Sequence, residues 1–173
     1  HPTEHHSFNS WILTTDHKRI GVLYIATALL FFLVGGALAL LMRTQLAQPD
    51  STVLSNTTYD QTFTMHGTTM IFLVVMPLSV GLGNYLVPLM IGARDMAFPR
   101  LNAFSYWLFL FAALFLYSSY LGGGAPDKGW FSYAPLTEHP FSPAPGMTYW
   151  ALAIILLGIA STTGSVNFIV TVA

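Results

Sequence analysis

The chain contains no cysteine. Disulfides, thiolate metal sites and cysteine nucleophiles are therefore excluded, and any metal or haem must be held by His, Met, Tyr or carboxylate. Charge is scarce too. Only 8% of the 173 residues are charged, against about 25% in ordinary soluble domains. A water-soluble fold of this length would lack the charge to coat its surface. The net charge is −1 and no basic run occurs, so nothing attracts nucleic acid or a strongly anionic lipid surface. There is no internal repeat, nucleophile triad, phosphate-binding glycine loop or metalloprotease helix. The opening stretch, HPTEHHSFNSWILTTDHKRIG, is polar and amphipathic and lacks the apolar core of a signal peptide. It starts at His1 rather than Met, which leaves room for processing or an upstream start. His5 and His6 are adjacent there and read as part of a flexible tail.

What the chain has instead is apolar sequence in blocks. Hydrophobic residues make up 54%, and the mean hydropathy is +0.60. Residues 20–42 carry no charge over 23 positions, and a helix of that length spans roughly 35 Å, enough for the hydrocarbon core. Similar runs recur, and the charge gaps predict spans at about 20–42, 66–92, 102–121 and 147–173. Residues 44–64 read as a polar connection, and 127–146 as a loop rich in Pro and Gly. The expected fold is all-α: a polytopic transmembrane helical bundle of about four spans. A buried soluble helical core is the competing reading, but it leaves no polar faces to solvate. Lys18, Arg19, Arg94 and Arg100 fall on one side, Arg43 and Lys128 on the other. Four against two favours a cytoplasmic N-terminus.

His66 is the prime candidate ligand, in TFTMHGTTMIF at the outer end of the second run. An interfacial His often does no more than hydrogen-bond to lipid or loop. Here Gly67 leaves room for a flat ring, and Thr69 and Met70 share its helix face. Arg43 is expected at the same depth. An imidazole, small neighbours and a guanidinium are what a buried haem needs. Asn84 lies 18 residues on; at 100° per residue both side chains would point the same way. Asn102 opens the third run, and Ser161, Thr162, Thr163, Ser165 and Asn167 stud the fourth. Such groups in a membrane act as helix–helix glue or line a hydrated path. Asp95, between Arg94 and Arg100, is the ionisable group that could gather protons at the inner mouth; alone it reads equally as a solvated loop carboxylate. Trp130 and Tyr133 fit an aromatic belt or a lid over a cofactor edge.

Taken in order, DHKRIGVLY, MRTQLAQPD, TMHGTTMIF, GLGNYLVPLMIGARDMAFPRLN, GGGAPDKGWFSYAPL and SVNFIVTV resemble subunit I of the haem–copper terminal oxidases. The likeness is strongest to bacterial aa3- and caa3-type cytochrome c oxidases and runs over almost the whole chain. It implies a proton-pumping respiratory enzyme of the bacterial inner membrane. His66 would be an axial ligand of the low-spin haem (haem a), and Arg43 would bond the haem formyl group. Asp95 would start a proton channel lined by Asn84, Asn102, Asn167 and Ser161. Trp130 would lie near the haem propionates, and Tyr133 follows in the same motif; Met70, on the helix face of His66, is the remaining candidate for contact with the cofactor. Departures from the family pattern occur at Arg94 (commonly Pro), Ala103 (commonly Asn) and Gln45, where many members carry a cation-binding Glu. Family subunits have about twelve spans. The second low-spin ligand, the haem a3 ligand and the copper B ligands would therefore lie outside this chain. The implied partners are the remainder of subunit I, subunits II and III, cytochrome c and membrane lipids, with no nucleic acid. Two alternatives stay open: a quinol-oxidising member, and a truncated structural or assembly subunit without haem. A solute transporter would need its own mid-membrane substrate site.

Overall fold

The computed structural model describes residues 8–173, with side chains from Ser10 onward; His5 and His6 lie outside the described residues. Helix α1 (Phe8–Ile12) is a short lead-in. Helix α2 (His17–Gln45) starts where the Asp16 carboxylate accepts from Arg19 N at 2.9 Å, satisfying one of the donors that every helix start leaves open. Helices α3 (Asn56–Thr68) and α4 (Met76–Ile91) are joined without a break by a π-helical stretch, Thr69–Val75. Helices α5 (Pro99–Ser118) and α6 (Gly146–Val172) complete the set. Four continuous helical segments, His17–Gln45, Asn56–Ile91, Pro99–Ser118 and Gly146–Val172, are long and apolar enough to cross a membrane, and no strand occurs among the described residues.

The second helix departs most from the sequence expectation. It begins at Asn56, not near residue 66, because Ser55 caps it by accepting from Thr58 N at 3.2 Å. Its 36 residues make a rod of about 54 Å, longer than a hydrocarbon core of about 30 Å. The turns from Asn56 to Gln61 are polar, and hydropathy reports the membrane rather than the helix.

Pro77 explains the π stretch. It has no N–H for Leu73 O, and its ring crowds the preceding turn. Widening that turn relieves both problems, and Met76 N reaches back five residues to Ile71 O. Gly92, at φ 73°, then ends α4 in the left-handed conformation.

Helices α2 and α4 run antiparallel and touch backbone to backbone. A Cβ on Gly21 would lie 2.8 Å from Gly81 O, and one on Gly81 would lie 3.0 Å from Gly21 O. Small residues allow such approach in membrane helices. Helices α5 and α6 meet through Phe115 on Tyr149, at 5.0 Å between ring centroids, and through Ser105 beside Gly164. Tyr24 of α2 packs edge-on to Tyr106 and face-on to Phe109 of α5. Large apolar side chains such as Leu33, Phe111 and Ile155 remain exposed on the outer faces, as suits lipid or further helices.

Topology sorts the cations. The start of α2, the α4–α5 connection and the end of α6 share one end, where Ala97 N donates to Thr171 Oγ1 at 3.0 Å. Lys18, Arg19, Arg94 and Arg100 belong to that end. Arg43 and Lys128 belong to the other, and Lys128 is paired with Asp127 at 2.9 Å.

Candidate functional site

His66 sits ten residues into its helix and faces α2. Its Nδ1 lies 2.9 Å from Gly35 O, and since a carbonyl only accepts, Nδ1 carries the proton. Nε2 is the ring nitrogen left over, and it bonds to no group among the described residues. Metal-ligating imidazoles are held in this way, with one nitrogen tied to a carbonyl so that the other is aimed and made more basic. Gly35 belongs to the same arrangement: a Cβ there would meet Met70 Sδ at 2.7 Å. Met70 thus packs beside the carbonyl that orients His66. Thr69 turns toward α5 instead, and its hydroxyl pairs with Tyr117 OH at 2.6 Å.

The α5–α6 loop and the first turns of α6 dock on the same helix. Gly129 N donates to the buried Thr64 Oγ1 at 2.8 Å, and Trp150 Nε1 donates to Thr68 Oγ1 at 3.1 Å. Trp130 lies on Gly67, where a Cβ would come within 2.9 Å of its Cδ1. The flat ring that Gly67 admits in this chain is therefore the Trp130 indole, one residue from His66. Tyr133 stands away, 69% exposed.

Arg43 is less close than the sequence suggested. His66 is level with Gly35, and Arg43 is eight residues further along α2, about 12 Å by helical rise. It is exposed in the last turn of α2. Gln45 next to it clamps the connecting loop: Nε2 donates to Ser51 O at 2.6 Å, and Oε1 accepts from Leu54 N at 2.7 Å. Both ends of its amide are bonded to backbone.

At the opposite end the polar residues behave differently from one another. Asn167 is committed: Oδ1 accepts from Phe98 N at 2.9 Å, and Nδ2 donates to Phe98 O at 3.1 Å. The same carbonyl receives Asn102 N at 3.0 Å, which places Asn102 and Asn167 side by side. Asn102 Nδ2 and Asn84 Oδ1 are buried without any hydrogen-bond partner. Burying an amide unpaired is costly, so such atoms mark places for water. Asp95, half-buried, accepts from its neighbour Met96 N at 2.8 Å. Ser161 lines a cleft of about 260 Å³ between the helices, with Tyr24, Pro77 and Phe109. Thr162, Thr163 and Ser165 do not bridge helices. Each bonds a carbonyl four residues back in α6.

The eighteen-residue count from His66 to Asn84 assumes an unbroken α-helix. The π stretch between them puts more residues into each turn, so eighteen residues no longer make five whole turns. Two buried residues escaped the sequence reading. His17, 1% exposed, places Nδ1 2.8 Å from Asn84 O. Tyr24 OH pairs with Ser105 Oγ at 2.6 Å. His17 was hidden because it looks like part of the polar lead-in; a Pro four residues after Asn84 was the signal that could have exposed it.

These features define a polytopic helical membrane protein with one oriented imidazole at one end and a partly unpaired amide track at the other. Residues 19–173 match the profile of the family described as Cytochrome C and Quinol oxidase polypeptide I, and the chain belongs to that family. It is 52% identical over 163 residues to a putative cytochrome c oxidase subunit 1-beta of Streptomyces coelicolor, covering 94% of this chain and 28% of that protein. It is 51% identical over 173 residues to a cytochrome c oxidase subunit 1 of Thermostichus vulcanus, covering 99% and 31%. Similarity to a quinol oxidase subunit 1 of Bacillus subtilis is 44% over 165 residues, covering 95% and 25%. The chain thus spans under a third of the length of these relatives.

Proposed function

We propose that this chain forms the first four spans of the catalytic subunit of a proton-pumping haem–copper oxidase. It would ligate the low-spin haem and take up protons for the reduction of O2 to water with electrons from cytochrome c. The observation that carries the reading is the His66 imidazole, tied at Nδ1 to Gly35 O with Nε2 uncommitted on an apolar helix. The residues present fit a haem. His66 would supply a nitrogen ligand, Met70 packs beside the orienting carbonyl, and Trp130 covers Gly67 next to it, while Tyr133 would take part only from the exposed side of the loop. A haem held there, haem a on this reading, would supply a one-electron relay.

Arg43 adds positive charge on the same side. A cation disfavours the more positive, oxidised haem and so raises its potential. Arg43→Met is expected to lower the midpoint potential of the low-spin haem in a redox titration; an unchanged potential would remove Arg43 from this role.

Asp95 is proposed to collect protons at the inner face. Asn84 and Asn102, through their unpaired amide atoms, would hold waters that pass protons inward toward Ser161, while Asn167 fixes the mouth by clamping Phe98. The four-to-two distribution of Lys and Arg supports a cytoplasmic N-terminus in a bacterial inner membrane. Haem a3 and copper B would be bound by spans outside this chain, in the remainder of subunit I, with subunits II and III completing the complex. A quinol donor is the second reading, favoured by the likeness to the Bacillus subtilis quinol oxidase subunit.

The test is Asp95→Asn in the assembled oxidase. Removing the titratable group at the mouth should lower proton uptake and turnover at least about tenfold, with haem absorption unchanged. Normal proton uptake would sink the path.

A further inference from the structure

Proline leaves two deficits in the second spanning helix, and they are handled differently. Pro77 is accommodated by the π stretch. Pro88 lies inside α4, where the helix continues without widening. In an α-helix the carbonyl of residue 84 accepts from the N–H of residue 88, and proline has none. Asn84 O would thus be a buried carbonyl without its partner, in a side-chain environment only 1% exposed. A group from another helix fills the gap: His17 Nδ1 lies 2.8 Å from Asn84 O, and against a carbonyl it must be the donor.

The contact is prepared by packing. Gly21 and Gly81 let α2 and α4 meet at backbone distance. In that antiparallel pair His17 is one turn before Gly21, and Asn84 is one turn after Gly81. The ring therefore arrives opposite the carbonyl that Pro88 leaves open. On the same residue, Asn84 Nδ2 donates to Val80 O at 3.0 Å, and Oδ1 is buried with no partner.

We infer that His17 is a positioning residue for Asn84. Its Nδ1–H replaces the donor missing at Pro88 and fixes the backbone from which the Asn84 amide presents its free oxygen to the proton path. The inference rests on the assignment of Asn84 to that path. His17 acts by donating to a backbone carbonyl, so its part is to hold the wall of the path.

The assembled oxidase provides the test, with proton uptake and haem absorption measured side by side. His17→Leu should slow uptake about tenfold or more, the size of effect a misplaced group produces, while the haem spectrum and midpoint potential stay as in the parent. Adding Pro88→Ala restores an N–H four residues after Asn84. The double variant His17→Leu/Pro88→Ala should recover most of the lost rate. Asn84→Leu, run in parallel, should be slow whatever stands at position 17. Normal uptake in His17→Leu beside slow uptake in Asn84→Leu overturns the inference and leaves the path standing. Slow uptake that Pro88→Ala fails to recover overturns it also. Normal uptake in Asn84→Leu overturns the path assignment itself, and this inference with it. If His17→Leu does not assemble, the double variant decides: assembly with uptake near the parental rate supports the inference, and failure to assemble contradicts it.

Discussion

Replacing His66 with Ala is expected to abolish the low-spin haem absorption of the assembled oxidase while the chain still inserts and packs. The two halves of this prediction have separate causes. On the proposed assignment the iron loses the imidazole that His66 would supply, and methyl cannot substitute for an imidazole nitrogen. The fold loses little, because Gly35 O already accepts within α2 and the bond from His66 uses its second lone pair. One such hydrogen bond contributes about 1 kcal/mol net. The neighbours remain in place: Met65 and Thr69 are fully buried, and Thr69 keeps its bond to Tyr117. Optical difference spectra of purified complexes, normalised to subunit content, provide the measurement. A persistent low-spin band would mean that another residue holds the iron.

Gly21→Val should have the largest effect on the fold. The new Cβ would lie 2.8 Å from Gly81 O and 3.1 Å from Tyr85 N. Both are backbone atoms of the facing helix and cannot swing aside. Relief requires α2 and α4 to separate, which undoes the close approach along that whole stretch, including the reach of His17 to Asn84. Overpacking of this kind costs about 3 kcal/mol or more, and the expected result is poor accumulation or a much lower unfolding temperature. Gly36, on the same helix, has nothing within 4 Å of a built Cβ. Gly36→Ala should be neutral or gain up to about 1 kcal/mol from helix propensity. Equal behaviour of the two variants in thermal unfolding would refute the backbone contact.

Much of this fold was legible because a bilayer imposes simple rules. Four apolar runs separated by charges became four spanning helices, and the short polar connection carrying Arg94 and Asp95 became a loop, with Arg100 in the first turn of α5. The start of the second helix was not legible: Asn56 to Gln61 are polar, and only the Ser55 cap marks them as helical. Nor was the π stretch, since Pro77 signals a disturbance without saying whether the helix kinks or widens. That gap is what spoiled the face-sharing argument for Asn84.

For the site, His66 stood out by its place at the end of an apolar run and by its family string. Its orientation did not, because the partner is a backbone carbonyl 31 residues earlier, which no side-chain pattern reveals. Arg43 was placed too near, since counting from the loop ignores how far α3 extends beyond the apolar run. Asn84, Asn102 and Asn167 are indistinguishable as residue types in the sequence. Three-dimensional pairing separates them into one amide wholly occupied by backbone and two with a free atom.

The most direct measurement of the central claim is chemical rescue at position 66. In the assembled oxidase His66→Gly should lack the low-spin absorption, and added imidazole should restore it in a saturable way by occupying the space that the side chain left. A native low-spin spectrum in His66→Gly without imidazole would contradict the claim that this chain supplies the haem ligand.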